Sequence, residues 1–382
     1  MEKGVLSAVA MIALFSGSLG CAPGAASDAP NRTRFKATWP DPDRPRVTLS
    51  WEFPATGGIV VRPGAEIELS IIPPQPQNAA ADSMVRLEGE WDASRASVAD
   101  KSLAIFAPRK PGVYRVAHSY KIGAETVTDR FTLFVALRAE VAGGGKFGEV
   151  SVEGEKLGTY YTPQRAVREK VRRHADAYGV PEWFIRFDEA DSGVRLTPTY
   201  TLGDLYPREA RNEPPREHPE PPSLHLALDY NMLLKLEALT EELRDLKLLK
   251  GKLALTSAYR SPIYNASIES GHYSRHMYGD AVDFAIDEDS DPRQYMDDVD
   301  GDGRVDRRDL ILIARVVRRL EAAGRVREGG CGIYERRSGG KSIDGYIHMD
   351  ARGHHATWGY TVDVKTEKAD GDITWERERP DA

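Results

Sequence analysis

A chain of 382 residues has room for two or three domains. Its formal net charge of −7, with 52 basic and 59 acidic side chains, argues against the one-sided basic face that general nucleic-acid binding requires. Hydrophobic content of 41% permits real cores.

The first element expected is a leader. Lys3 precedes an apolar run from Val5 to Phe15, and Ser-Gly-Ser-Leu-Gly leads into Cys21. That layout is a secretory signal, too short for a durable membrane span. Small residues directly before a cysteine resemble a bacterial lipoprotein cleavage box, although Ser18 stands where that pattern usually has Leu. The resemblance implies a signal peptide over residues 1–21 ending at a lipidated Cys21. The protein is then exported and anchored to a membrane by lipid, facing the periplasm. Ala22 lacks the Asp that resembles an inner-membrane retention signal, which favours the outer membrane. Residues 22–35, rich in Ala, Pro, Gly, Ser and Asp, form a flexible tether. Cys331 is left with no internal disulfide partner, and within Gly-Gly-Cys-Gly-Ile-Tyr it reads as a small buried residue.

Residues 36–138 carry short alternating segments separated by turn signals, such as Val47-Thr-Leu-Ser-Trp-Glu-Phe and Ala65-Glu-Ile-Glu-Leu-Ser-Ile. Period-two alternation with β-branched residues over such a length predicts an all-β immunoglobulin-like sandwich, with Tyr114 as its corner tyrosine. No metal or nucleophile cluster falls there, so a spacer is favoured over a binding module. Ala142-Gly-Gly-Gly-Lys-Phe-Gly reads as a hinge. Residues 139–194 as a whole are a linker with a small hairpin from Glu149 and a basic helix from Gln164 to Tyr178.

Residues 195–362 hold the chemistry. Leu228, Met232, Leu236, Leu239, Leu243 and Leu246 recur at helical steps and predict an amphipathic helix packed behind a sheet. Lys252-Leu-Ala-Leu-Thr-Ser then reads as a strand that delivers Tyr259 and Arg260. Next come Ser274, His276, Gly279, Ala281 and Asp283, the last inside an Ala-Val-Asp-Phe-Ala-Ile strand where a carboxylate is costly unless paired or metal-bound. Far along the chain lies Tyr346-Ile-His348-Met-Asp350. Two imidazoles and a carboxylate can hold a tetrahedral zinc ion and leave its fourth position open, as a catalytic site needs. Between these segments, at about 290–325, sits an insert. Asp298, Asp300, Asp302, Asp306 and Asp309 fall at positions one, three, five, nine and twelve of a calcium loop, with Gly303 at the sharp turn and Arg304 offering a carbonyl at seven. The run resembles an EF-hand, and more closely a dockerin half. It predicts Ca2+ in a bracing role, followed by a helix with Leu310, Ile313, Val317 and Leu320 on one side. Residues 363–382 are a polar tail.

The motifs Ser-x-His-x-x-Gly-x-Ala-x-Asp, His-x-Asp and Tyr-Arg-Ser occur in order at Ser274–Asp283, His348–Asp350 and Tyr259–Ser261. They resemble the zinc D-alanyl-D-alanine carboxypeptidase family of cell-wall peptidases, whose fold is shared with the Hedgehog signalling domain. The resemblance implies an α+β Hedgehog/DD-peptidase-like domain with Zn2+ at His276, Asp283 and His348. It further implies that Arg260 binds substrate or the developing oxyanion. Asp350 is expected to orient one of the metal-binding side chains without touching the ion, and Ser274 to support the site in the same way. The implied activity is hydrolysis of peptidoglycan stem peptides, by carboxypeptidase or endopeptidase action. One departure stands out. The family often places a Glu three residues, or a His two residues, before the last zinc histidine, and this chain has Gly345 and Tyr346 there. Asp344 is the nearest carboxylate and so the nominal base, and His272 is a histidine able to approach from the preceding loop. The alternatives are a non-catalytic peptidoglycan-binding protein braced by zinc and calcium, and a scaffold docking a partner through its sandwich or insert.

Overall fold

The computed structural model describes residues 34–42, 48–53, 56–72, 84–88, 97–99, 102–122, 124–143, 147–163, 175, 177–206, 224–289, 296–338 and 341–359. The leader with Cys21, most of the tether, most of the basic helix expected from Gln164, and the tail at 363–382 lie outside them.

Two compact units emerge: residues 1–139 with 182–203, and 140–181 with 204–382. This division differs from the linear one expected. The segment 139–194 is split between the units rather than forming a linker, and Val194–Gly203 belongs with the first unit, not the peptidase-like one. Backbone bonds are the reason. Gly58 N–H donates to the Arg195 carbonyl at 2.8 Å, and Arg195 N–H to that of Thr56 at 2.6 Å.

The first unit is built from β1 (Arg34–Pro40), β2 (Thr48–Phe53), β3 (Gly58–Val61), β4 (Glu66–Ile72), β5 (Met84–Glu88), β6 (Ser97–Ala99), β7 (Ser102–Phe106), β8 (Gly112–Ile122) and β9 (Glu125–Val135). One sheet runs β2-β1-β4-β7-β6 and the other β3-β9-β8-β5. Alternate residues of β1 point inward, so Phe35, Ala37 and Trp39 are buried while Arg34 and Lys36 face out. Phe35 and Phe53 of the first sheet meet Phe131 of the second at ring-centroid distances of 6.3 and 5.7 Å, which joins the two inner faces. The Tyr114 hydroxyl donates to the Lys110 carbonyl at 2.8 Å, pinning the turn before β8. β10 (Leu137–Arg138) pairs with β14 (Trp183–Arg186).

In the second unit, β11 (Glu140–Ala142), β12 (Phe147–Val152) and β13 (Glu155–Tyr161) form a three-stranded antiparallel sheet. β15 (His225–Leu226) precedes the helix Tyr230–Asp245, which Asp229 caps by accepting from Asn231 N–H at 2.6 Å. Met232, Leu236, Leu239 and Leu243 are buried along it as the periodicity predicts, whereas Leu228 precedes the helix and Leu246 closes it, partly exposed. The main sheet comprises β16 (Ala254–Ser257), β17 (Ala281–Ala285), β18 (Gly330–Ser338), β19 (Lys341–Asp350) and β20 (Ala356–Trp358), in the order β16-β17-β19-β18-β20. The helix Arg307–Ala322 packs against β18 and β19, and Leu310, Ile313, Val317 and Leu320 are buried. One face of the sheet, with Val282, Phe284, Ile347 and Met349, is core. The opposite face carries the polar residues considered next.

Candidate metal centre

One row across the sheet places the site. Ser257 of β16 pairs with Asp283 of β17, Asp283 with His348 of β19, His348 with Gly332 of β18, and Gly332 with Trp358 of β20. Directly paired residues share a face, so four side chains and one bare backbone position line up in register. His276 joins them from a 3-10 turn, Arg275–Tyr278, that leads into β17. Gly279 ends that turn at φ 73°, and a Cβ there would overlap the Ala227 carbonyl, so only glycine lets the chain reverse this close to its neighbour. Arg275 locks the turn from inside: its Nε donates to Asp280 at 3.0 Å and its guanidinium lies 4.4 Å over the Tyr278 ring.

His276 Nε2, His348 Nδ1 and Asp283 Oδ1 converge, separated by 3.1 Å between the imidazoles and by 3.1 and 2.8 Å from the carboxylate. Outer partners fix the protons. The Ala258 carbonyl, which can only accept, takes the Nδ1–H of His276 at 2.6 Å. Asp350 Oδ2 takes the Nε2–H of His348 at 3.3 Å. Each neutral ring then turns a lone pair inward, towards a carboxylate oxygen. Three acceptors within about 3 Å of one another repel unless a cation sits among them. Zinc bonds of about 2.0–2.1 Å give tetrahedral edges of about 3.3 Å, close to the spacings found. The donor set therefore fits a metal ion.

Electrostatics lead to the same demand for positive charge. Burial raises the Asp283 carboxyl, but both imidazoles outweigh it and hold the group well below the usual carboxylate range. Burial, with Arg260 adding to it, lowers His276. Burial also lowers His348, yet its hydrogen bonds to Asp283 and Asp350 win, and its value rises. A proton in acid and a metal ion above it compete for the same place. Behind His348, Asp350 is fully buried and accepts from Gly330 N–H at 2.7 Å and from the Arg352 guanidinium. Burial opposes its ionisation, but the hydrogen bonds from His348 and Arg352 keep it well below the usual range.

The remaining expected residues fall as follows. Arg260 Nη2 donates to Asp283 Oδ2 at 2.7 Å and its Nε to Ser257 Oγ at 2.8 Å, so it clamps the outer oxygen of the carboxylate. Ser274 starts the 3-10 turn and makes no side-chain capping bond. Asp344 is a correction. It is buried, and its Oδ1 accepts from Met296 N–H at 3.1 Å and Gly345 N–H at 2.7 Å, with Arg336 3.5 Å from Oδ2. A strand rises about 3.3 Å per residue, so the four steps from Asp344 to His348 span about 13 Å, beyond proton-transfer reach. His272 is exposed and packs on Tyr161 at 5.3 Å rather than joining the metal-binding group. Cys331 is a buried free thiol pushed up to about 11 by burial, hence a packing residue.

In the insert, Asp298, Asp300 and Asp309 form one group of converging carboxylates. Asp302 and Asp306 are not in it. Asp302 pairs with Arg308 at 2.9 Å, and Asp306 caps the helix Arg307–Ala322 in a reciprocal box with Asp309. Arg304 is exposed.

Sequence reasoning missed the hairpin β12–β13 as part of this unit. The Tyr160 hydroxyl of β13 meets that of Tyr259 at 3.0 Å, and Tyr278 donates to the Tyr161 carbonyl at 3.0 Å, so the hairpin braces both motif segments. It also missed Arg352 and Trp358, which stand behind His348. The spacing His-x-Asp-x-Arg is the one signal that pointed to the former.

Residues 223–303 match the family model described as Peptidase M15. No curated protein and no solved structure matches the chain. The matched span contains His276 and Asp283 but ends before His348, so the strand pairing of β17 with β19 is what completes the set. The match supports an M15 peptidase domain in this chain, and M15 peptidases are zinc-dependent.

Proposed function

We propose that the second unit is a zinc peptidase hydrolysing peptidoglycan stem peptides at the cell envelope, as a D,D-carboxypeptidase or endopeptidase. The convergence of three inward-facing acceptors on one sheet face carries this reading, and the M15 match supports it. When bound, zinc supplies Lewis acidity and activates water near neutral pH. The chain's own residues do the rest. Ala258 and Asp350 hold the two imidazoles in the ligating tautomer, and Arg260 fixes the carboxylate while adding positive charge beside the reacting centre. Two histidines and an aspartate leave one position of a tetrahedral ion open.

The test is direct. Purified protein is incubated with cell-wall muropeptides, with and without chelator, and the products are read by mass spectrometry. Cleavage abolished by chelator and restored by zinc is expected. Binding without cleavage would replace the enzyme by a non-catalytic peptidoglycan-binding module on the same fold. One observation favours that second reading: Gly345 and Tyr346 offer no base, and Asp344 is four residues along the strand with its Oδ1 taken up by the Met296 and Gly345 amides.

The remaining features belong to the same proposal. Calcium fills the Asp298–Asp309 loop and braces the insert, a reading supported by the ligand spacing and by the convergence of Asp298, Asp300 and Asp309. The first unit is an immunoglobulin-like spacer, supported by its two face-to-face sheets and its corner tyrosine. Lipidation of Cys21 holds the protein on the periplasmic side of a membrane, supported by the leader's layout.

A further inference from the structure

Peptide hydrolysis at a metal gains from a hydrogen-bond donor to the carbonyl oxygen as negative charge builds on it, in addition to the metal's own Lewis acidity. Arg260 is the donor the motif suggests, and two of its five N–H groups already hold Asp283 and Ser257, which fixes where its charge sits. The sheet places another. Tyr334 of β18 pairs with Tyr346 of β19, two steps along from the Gly332–His348 pair. Residues two apart in a strand share a face, so Tyr334 stands on the face that carries Asp283 and His348. It is the diagonal neighbour of His348, about 7–8 Å away between backbones.

Two aromatic contacts fix the direction of its ring. Tyr334 stacks on Tyr346 with centroids 4.8 Å apart and planes within 6°. Trp358 lies over Gly332, whose missing side chain leaves room for the indole: a Cβ at that position would overlap the indole nitrogen. The indole packs 5.1 Å from the His348 ring and donates its Nε1–H to the Tyr334 hydroxyl at 2.9 Å. The phenol oxygen is thus held on the His348 side, with one lone pair used by the indole. Its own proton has no acceptor among the described residues. The residue is 40% exposed, so an incoming ligand can reach it.

We propose that the Tyr334 hydroxyl, oriented by Trp358, donates a hydrogen bond to the substrate's carbonyl oxygen at the metal centre and stabilises the oxyanion there. This rests on the peptidase reading and names a catalytic residue that the motifs do not contain. The oxygen of water bonds to the carbonyl carbon, and the π pair moves onto the carbonyl oxygen. Tyr334 donates to that oxygen without releasing its proton. Collapse re-forms the carbonyl and breaks the C–N bond, and a proton of the attacking water ends on the amine nitrogen. Burial raises Tyr334 above the ordinary phenol value, with Asp283 adding to the rise, and outweighs the Trp358 hydrogen bond, Arg260 and Arg352, which pull the other way, so the phenol keeps its proton.

The test uses the full chain loaded with zinc. Tyr334→Phe keeps the stack on Tyr346 and removes only the hydroxyl. Expected is a fall in kcat of about 100-fold, the lower end for loss of an oxyanion donor, with KM within about 2-fold. A phosphinate pseudopeptide, which mimics the tetrahedral state, should lose affinity by a similar factor in calorimetry. Zinc content and melting temperature should not change. Trp358→Phe, which keeps a ring and deletes the N–H, should lose about 10-fold in kcat, as expected when a donor is left in place but not oriented. Unaltered kcat and phosphinate affinity in Tyr334→Phe would overturn the proposal. So would a loss of zinc, or a rise in substrate KM as large as the loss of phosphinate affinity, because those mark a structural role. A wild-type protein that cleaves no muropeptide overturns the peptidase reading itself, a result distinct from an active wild type with an equally active variant.

Discussion

Asp350→Asn changes one oxygen into an NH2 group at nearly constant volume, yet it should reach the metal through a histidine tautomer. The carboxylate now accepts at Oδ1 from Gly330 N–H at 2.7 Å and from Arg352 N–H at 3.1 Å, and at Oδ2 from Arg352 and His348. In the variant the amide oxygen can serve one side only. Kept on the Gly330 side, it leaves an NH2 facing two other donors, the Arg352 guanidinium and His348 Nε2–H. His348 relieves the clash by moving its proton from Nε2 to Nδ1, the nitrogen that faces Asp283 and the metal position. One ligating lone pair is lost. Removing such an orienting partner lowers metal affinity by about 10–100-fold, or about 1.4–2.7 kcal/mol. Stability falls as well, because the half-buried Arg352 keeps its charge without its partner. Such losses run to about 3–5 kcal/mol, and the lower end applies because Arg352 retains the Trp358 ring 5.6 Å away. For a unit of this size about 3 kcal/mol is a drop of about 6–12 °C in melting temperature. Zinc affinity is measured by competition with a chelating dye, and the tautomer by nitrogen NMR of the histidines. A variant binding zinc within 2-fold of wild type, with His348 still protonated at Nε2, would refute the chain of cause described.

Gly279→Ala should cost far more than Gly324→Ala, although both backbones are left-handed, at φ 73° and 65°. At Gly324 nothing lies near the new methyl, so only the conformational cost of about 1–2 kcal/mol applies. At Gly279 the methyl also meets the Ala227 carbonyl and displaces the His276 turn, so zinc stoichiometry should fall together with melting temperature. Lys235→Ala removes one of the two cations that hold the buried Glu321, leaving Arg318, and breaks a 2.8 Å bond to the Asp350 carbonyl, so the loss in denaturant titration should fall at or below the lower end of about 3–5 kcal/mol. Lys252→Ala breaks a half-exposed pair with Asp204 and should cost less than about 1 kcal/mol. Cys331, raised to about 11, should resist alkylation at pH 8 until the protein unfolds. An unfolded thiol ionises near 8.5, so between there and about 11 the native state holds the extra proton, and stability falls as pH rises. Cys331→Ala should flatten that slope.

The convergence of His276, Asp283 and His348 was legible because most of its spacing is local chemistry. A histidine on a turn, a glycine that lets the chain reverse, and an aspartate in an apolar strand lie within one short stretch, and His348 alternates with Asp350 so that both face one way. Alternation also misled. Asp344 shares that parity, but parity does not measure distance along an extended strand, and its oxygen is taken up by the amides of Met296 and Gly345. Trp358 and Tyr334 were hidden because their meaning depends on register. Only the pairing of β18 with β19 and β20 brings a bare glycine opposite His348 and an indole over it. Lys235 was hidden for a similar reason. It flanks the leucine stripe of its helix, and its partner Glu321 arrives from another helix far along the chain.

That buried pair also explains how an insert between two metal ligands is tolerated. The helix Arg307–Ala322 starts at the acidic loop, capped by Asp306, and ends beside the site. Near its end Arg318 donates to Glu321 at 2.5 Å, to the Gly329 carbonyl at 2.9 Å and to that of Ala356 at 2.6 Å, tying β18 and β20 together. Glu321 holds Lys235, and Lys235 holds the Asp350 carbonyl. A chain of charge-assisted bonds in a low-dielectric interior therefore runs from the inserted helix to the residue that orients His348. A loop of arbitrary length can separate Asp283 from His348, because the strand carrying His348 is registered by β17 on one side and clamped through this helix on the other.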